Sequence, residues 1–258
     1  MSSPRPVILF EPNECTPRLM FRFIEEGHLP NFKRFHDESR VFTSDAQEEG
    51  MNLNPWIQWV TIHSGLTREE HGIHDLGEGS QLATKGIVDL ASDAGLRVWM
   101  CLSMNIRPHT PLNGAMLPDP WCTDAAPYPS DLEPFFRFIH HHVLEHTHPD
   151  SKLGLGDNLA FLRFVATHGL SAGTLASICA QLLRERSGRF GWKRIGILEQ
   201  VASDVFRWQY KKLRPHLATF FLPSVAHLTH THWRNLEPEL YSVQPTAAEQ
   251  DEYADAVL

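Results

Sequence analysis

The sequence predicts an α/β fold: a three-layer α/β/α sandwich with a mainly parallel sheet and a helical insertion at about residues 130–190. Continuous apolar runs alternate with segments whose apolar residues recur at helical spacing. That alternation favours parallel strands covered by helices on both faces. The 258 residues are 42% hydrophobic and 21% charged, which is typical of a globular protein. We expect residues 1–258 to form a single domain.

Three apolar runs are predicted strands. Val7–Phe10 is a continuous apolar run, as expected for a strand covered on both faces. Leu96–Leu102 and Ala218–Leu222 are the other two. The shorter segment Val41–Thr43 is predicted as a fourth, minor strand.

Local signals place the first helices. Thr16 offers a hydroxyl at the N-cap and Pro17 fits the first helical position, while Gly27 ends the helix. A second short helix is predicted for Leu29–Phe35. Helical spacing predicts a third helix for Ala83–Ala94.

The second half of the chain is predicted to be mostly helical. Pro108–Pro129 is rich in Pro, Asn, Gly and Asp, which indicates a long functional or lid loop. Amphipathic helices are then predicted at residues 130–146, 158–167, 175–186, 198–210 and 247–257.

Composition excludes some classes of partner. Lys and Arg total 23 against 31 Asp and Glu, and no basic stripe is visible, so we expect no nucleic-acid partner. No apolar run approaches the ~20 residues of a membrane span, so no membrane partner is expected either. The four cysteines lack metal-type spacing, and no signal peptide is visible; both favour reduced thiols and a cytoplasmic location.

Two polar clusters suggest a site. Glu11, Asn13 and Glu14 directly follow the first predicted strand, and a second cluster lies within Asn52–Ile73. Polar side chains that meet at one edge of a sheet are what a metal-assisted hydrolase needs.

Three motifs carry a family resemblance. Gly27-His28-Leu29-Pro30-Asn31 is similar to a G-x-L-P-N segment, and Ser64-Gly65 with His71-Gly72-Ile73 is similar to TG…HGI. The strand Ala218–Leu222 with His227, His230 and Trp233 looks like D-x-x-x-H-x-x-W. Together they resemble the alkaline phosphatase superfamily, closest to its type I phosphodiesterase/nucleotide pyrophosphatase-like branch.

The resemblance implies a particular chemistry. Members have two metal ions at the carboxyl ends of the strands of an α/β/α sandwich, and a Thr or Ser nucleophile attacks phosphorus or sulfur. The implied cofactor is a divalent metal ion, zinc in the first place, with manganese or magnesium as alternatives. The implied partner is a small-molecule phosphate or sulfate ester.

The metal ligands carry over incompletely. Counting from Pro17 places the first-strand ligand at Asn13, whereas counting by charge places it at Glu14. We predict Glu14 as the ligand, because its anionic oxygen binds a cation better than an amide does, and Asn13 as a substrate contact. His227 and His230 are the predicted imidazole ligands. On a helix, residues three apart share a face; on a strand, residues 230 and 232 would.

Other positions depart from the family pattern. The nucleophile falls near Asn54-Pro55, where no hydroxyl exists, so Asn54 is predicted to bind a phosphoryl oxygen beside the reacting group. The nearest hydroxyls, Thr61 and Ser64, match structural positions of the motif. Ala226 stands where the family has Asp, and the late D-H-G segment is absent from the sequence, which therefore looks divergent and incomplete at its C-terminus.

Two functions follow from these motifs. The first is a metal-dependent hydrolase, or transferase, for a phosphate or sulfate ester. The alternative is a degenerate or truncated member that binds a ligand or partner without turning it over. Both readings predict a structural role for His71. The pair His142 and His146 is read as a solvated helix face rather than a metal pair. The central expectation is that Glu14 and His230 converge at the rim of a shared sheet.

Overall fold

The computed structural model describes residues 5–144, 154–188, 190–253 and 255–257. The strands are β1 (Val7–Pro12), β2 (Val98–Cys101), β3 (Gly114–Leu117) and β4 (Leu217–Leu222). The helices before β2 are α1 (Pro17–Glu25), α2 (Pro30–Asp37), α3 (Pro55–Ser64), α4 (Arg68–His71) and α5 (Ile87–Asp93). Those after β3 are α6 (Glu133–Leu144), α7 (Leu155–Thr167), α8 (Ala172–Arg184), α9 (Arg194–Leu213), α10 (Ser224–Leu236) and α11 (Ala247–Tyr253).

The predicted α/β class is confirmed by a four-stranded, all-parallel sheet flanked by helices. The strand order is β1-β4-β2-β3. Val98 of β2 lies opposite both Gly114 of β3 and Leu217 of β4. A side chain at Gly114 would collide with the backbone of Val98, so only glycine fits this register.

Alternate residues of β2 contact helices on opposite faces of the sheet. Met100 belongs to a buried cluster with Val60 of α3 and Val88 of α5. Its neighbour Trp99 stacks on Phe206 of α9 with ring centroids 6.3 Å apart. Because successive strand residues point to opposite faces, the sheet is the middle of three layers.

Strand β1 differs from its prediction. It was expected to be covered on both faces, yet the exposed fractions of Val7, Ile8 and Phe10 are 57%, 49% and 47%. β1 lies at one end of the strand order, beside β4 alone. All six residues of β4 are buried, as its central position requires. A continuous apolar run therefore did not distinguish an edge strand from a central one.

Several other predictions were wrong in detail. Residues 41–43 form no strand, and α5 begins at Ile87 rather than at Ala83. The predicted loop 108–129 contains β3, whose four residues include a glycine and only weak strand formers. Helices α6, α7 and α8 do follow β3, as the predicted insertion requires. His146 lies outside the described residues.

Packing divides the chain into two compact units. Unit 1 comprises Met1–Glu11, Glu48–Leu175 and Gln200–Leu222 and contains the sheet. Unit 2 comprises Pro12–Gln47, Ala176–Glu199 and Pro223–Leu258 and contains α1, α2, α10 and α11. The single domain stays a prediction.

Candidate functional site

The side chains of Glu14 and His230 meet in unit 2. Oε2 of Glu14 and Nε2 of His230 are hydrogen-bonded across 216 residues of sequence. Both side chains remain accessible, with exposed fractions of 31% and 64%. The expected convergence is thus present, and the pair is open to a ligand from solvent. Whether it binds metal stays a prediction.

Glu14 has an unfavourable backbone conformation. Its φ of +51° lies in the left-handed region, where a side chain costs roughly 1–2 kcal/mol relative to the right-handed conformation. This strain lies at the residue that contacts His230. Strain of this kind is often concentrated at functional positions.

A second interaction holds α1 against the end of α10. Both Nη atoms of Arg18 donate to the carboxylate of Glu237, each at 2.7 Å. Trp233 Nε1 donates to the same carboxylate at 2.7 Å, and the Arg18 guanidinium lies 5.6 Å from the centre of the Trp233 ring. Arg18 follows Glu14 closely in sequence, and Glu237 follows His230 at the end of α10, so this contact restrains both of the chain segments that carry the pair.

The same contact lowers the pKa of Glu237 to about 2. Hydrogen bonding from Arg18 is the main cause, and Trp233 adds to it, against the opposing effect of burial. The carboxylate is therefore charged at neutral pH.

The other two histidines of α10 differ in environment. His227 is exposed and lies three residues before His230, so the two share a helix face. His232 is buried and stacks on Tyr253 at 4.5 Å, and burial lowers its pKa. His232 therefore packs in the interior, and the helical alternative for His227 and His230 holds.

Within the described ranges, no group of three or more His, Cys, Asp or Glu side chains is arranged to hold a metal ion. The structure thus brings together two of the three predicted ligands, Glu14 and His230. Asn13, the predicted substrate contact, is only 4% exposed.

Asn54 lies at the N-cap of α3 in unit 1. Its side chain makes no capping hydrogen bond, and its backbone carbonyl accepts from Ile57 and Gln58. The hydroxyl groups nearest in sequence, those of Thr61 and Ser64, make hydrogen bonds within the protein. Thr61 Oγ1 is 3.1 Å from His71 Nε2, and Ser64 Oγ donates to the Val60 carbonyl at 2.7 Å.

His71 anchors the turn after α4, as predicted. Its Nδ1 accepts from the backbone of Ile73 at 3.0 Å, which leaves the ring proton on Nε2 for Thr61. Burial is the main cause that lowers the pKa of His71. His71 is therefore a neutral imidazole that is hydrogen-bonded through both ring nitrogens, which is a structural role.

The loop after β2 is also held by internal bonds. Asp119 is fully buried and accepts from Arg107 Nη1 at 3.0 Å and from the backbone of Asn105 at 2.7 Å. The Trp121 backbone donates to its other oxygen at 2.9 Å. Asp119 therefore holds the segment after β3 against the loop after β2.

Sequence reasoning missed a buried polar network in unit 1. Glu11 Oε1 accepts from His63 Nε2 at 2.9 Å and from Ser103 Oγ at 3.3 Å, and Ser103 lies 2.6 Å from Thr219 Oγ1. All four residues are buried. The sequence signal that could have indicated this network is Glu11 itself, a carboxylate that directly continues an apolar strand. A buried carboxylate needs a hydrogen-bonding partner.

Comparison with known proteins adds no relative. No family model, no curated protein and no solved structure matches the chain. The resemblance to the alkaline phosphatase superfamily therefore rests on the motifs alone. No helix in the part of the chain that the structure describes is long and apolar enough to cross a membrane.

Proposed function

We propose that the chain is a metal-dependent hydrolase, or transferase, for a small-molecule phosphate or sulfate ester. The observation that carries the proposal is the contact between Glu14 and His230, two motif residues far apart in sequence that meet on an accessible surface. The strained backbone of Glu14 supports it, since the fold maintains that carboxylate at an energetic cost.

The donor atoms suit zinc in kind. A carboxylate oxygen and an imidazole nitrogen are typical zinc ligands, and exposed His227 on the same helix face is the proposed third. When bound, the ion would polarise the ester and lower the pKa of a bound water. Glu14 and His230 would hold it, and Arg18 with Glu237 would fix their positions.

The contact of Asn54, in unit 1, to a phosphoryl or sulfuryl oxygen is a proposal of its own. Its side-chain amide is not used to cap α3. The nearest hydroxyls, those of Thr61 and Ser64, already make internal hydrogen bonds. We therefore propose that water, rather than a protein hydroxyl, attacks the ester.

An activity assay tests this function. The purified chain is incubated with zinc or manganese and with aryl phosphate monoesters, diesters and aryl sulfates. We expect metal-dependent release of the phenol, reduced at least tenfold in Glu14→Gln and in His230→Gln. Glu26→Gln and His28→Gln remove an exposed carboxylate and imidazole of the same unit 3.6 Å apart and should leave the rate unchanged. No turnover with any metal would remove the enzyme claim.

The second candidate is a non-catalytic member that binds a ligand or partner. The exposed apolar side chains of the edge strand β1 favour it, because natural proteins usually protect such edges. Elemental analysis discriminates the two candidates. One or more bound metal ions per chain favours the hydrolase, and a metal-free chain that remains inactive with added metal favours the binding protein.

A further inference from the structure

A basic pocket lies in unit 1, and its lining contains none of the residues of the proposed hydrolase site. Its volume is about 640 Å³, which is within the range of small-molecule sites. Arg97, Lys211, Arg214 and His216 line it together with Tyr210 and two prolines, and its lining includes no acidic residue. This concentration of positive charge contrasts with the net charge of −8 of the whole chain.

Arg97 is committed to the end of α9. Its Nε lies 3.1 Å from the carbonyl oxygens of Leu213 and Arg214, and its Nη2 donates to the Arg214 carbonyl at 2.8 Å. These carbonyls carry the partial negative charge of the helix C-terminus. Arg97 thus neutralises the partial negative charge at that end of the helix. The side chains of Lys211 and Arg214 are not needed for this purpose.

His216 contributes a directed donor. Its Nδ1 accepts the backbone N–H of Arg97 at 2.9 Å, so the ring proton resides on Nε2. That N–H belongs to a residue that lines the pocket. The cationic side chains of Lys211 and Arg214, together with this ring N–H, match the oxygens of a doubly charged phosphate group.

We propose that this pocket binds the phosphate group of a phosphorylated small molecule. Lys211 and Arg214 supply the charge, and His216 supplies a hydrogen bond. A phosphate group alone would leave most of the volume unfilled, so an organic portion fits beside it. Tyr210 provides an aromatic surface for that portion. The proposal does not depend on the hydrolase activity.

Isothermal titration with inorganic phosphate, and separately with phenyl phosphate, tests the proposal at constant ionic strength. We expect saturable binding with a Kd below about 1 mM. Phenyl phosphate should bind more tightly than inorganic phosphate. Binding should weaken at least tenfold in the double variant Lys211→Ala/Arg214→Ala. Both residues are exposed, so this variant should fold, which its thermal unfolding confirms.

Lys212→Ala is the matched control. Lys212 is the neighbouring residue of α9, carries the same charge and lies outside the pocket, 3.3 Å from Asp131. It should bind both probes like the unmodified chain. Absence of saturable binding at 10 mM phosphate (about ten times the expected Kd) would overturn the proposal. Equal weakening by Lys212→Ala and by the double variant would also overturn it, because a diffuse field rather than a site would then explain the binding.

Discussion

Two Glu–His pairs in this protein have the same chemistry and opposite surroundings. In unit 1, Glu11 bonds to His63, and the exposed fractions of the two side chains are 0% and 1%. In unit 2, Glu14 bonds to His230, and the corresponding fractions are 31% and 64%. The two glutamates lie only three positions apart in the sequence. Residue type therefore says little about role, and what distinguishes the two pairs is their access to solvent.

The largest expected effect on stability comes from breaking the buried pair, Glu11 and His63. Glu11→Ala should lower the free energy of unfolding by about 3–5 kcal/mol, because His63 and Ser103 lose their acceptor in the interior. Urea denaturation measures the loss. Glu14→Ala, at the solvent-accessible pair of Glu14 and His230 (the open pair), is the matched control and should change stability by no more than about 1 kcal/mol. Similar losses in the two variants would contradict the distinction between the pairs.

The second-largest expected effect on stability comes from the contact of Glu237 with Arg18 and Trp233. Glu237→Gln is expected to cost about 2 kcal/mol in urea denaturation, since Arg18 and Trp233 then lose a charged acceptor. Glu239→Gln, at an exposed carboxylate two residues on, should have almost no effect. If Glu237 positions His230, its variant should also bind zinc more weakly than the unmodified chain does. Unchanged zinc affinity with reduced stability would limit Glu237 to a structural role.

Acid should remove this same contribution. The pKa of Glu237 is lowered from an ordinary 4.5 to about 2, chiefly by Arg18. A lowered pKa in the folded state means that the stabilisation is fully present above pH 4.5 and is lost as the pH falls towards 2. The difference in unfolding free energy between the unmodified chain and Glu237→Gln should therefore shrink across that window. A difference that stays constant down to pH 2 would show that the carboxylate charge contributes nothing.

The smallest expected effect on stability concerns the strain at Glu14. Glu14→Gly should raise the free energy of unfolding by about 0.5 kcal/mol, because glycine tolerates a positive φ at an entropic cost smaller than the strain removed. The same change removes the carboxylate and should abolish any metal binding at the pair. Thermal unfolding with and without zinc measures both effects. A destabilised Glu14→Gly chain would mean that the contact with His230 outweighs the strain.

Local patterns predicted most of the fold. The runs at β1, β2 and β4 are long enough to be recognised, and Thr16-Pro17 with Gly27 correctly bounds α1. β3 was missed because four residues that include Gly114 carry little strand signal. The exposure of β1 was missed because strand order depends on the whole sheet, and local sequence does not encode it.

The candidate site was predictable only in part. Glu14 and His230 were found through a family resemblance, since nothing in the local sequence joins residues so far apart. The bonds from Arg18 to Glu237 and from His63 to Glu11 have no periodic or motif signal, because each exists only after distant segments pack. A buried carboxylate can be predicted where an acidic residue lies within or beside an apolar run, but only the structure identifies its hydrogen-bonding partners.

Zinc titration of the open pair tests the central claim most directly. Isothermal titration compares the unmodified chain with Glu14→Gln, His230→Gln and the control His28→Gln, whose imidazole is exposed elsewhere in unit 2. We predict one saturable zinc site in the unmodified chain and in His28→Gln, weakened at least tenfold in the other two variants. Equal zinc binding in all four proteins, or none in the unmodified chain, would contradict the account.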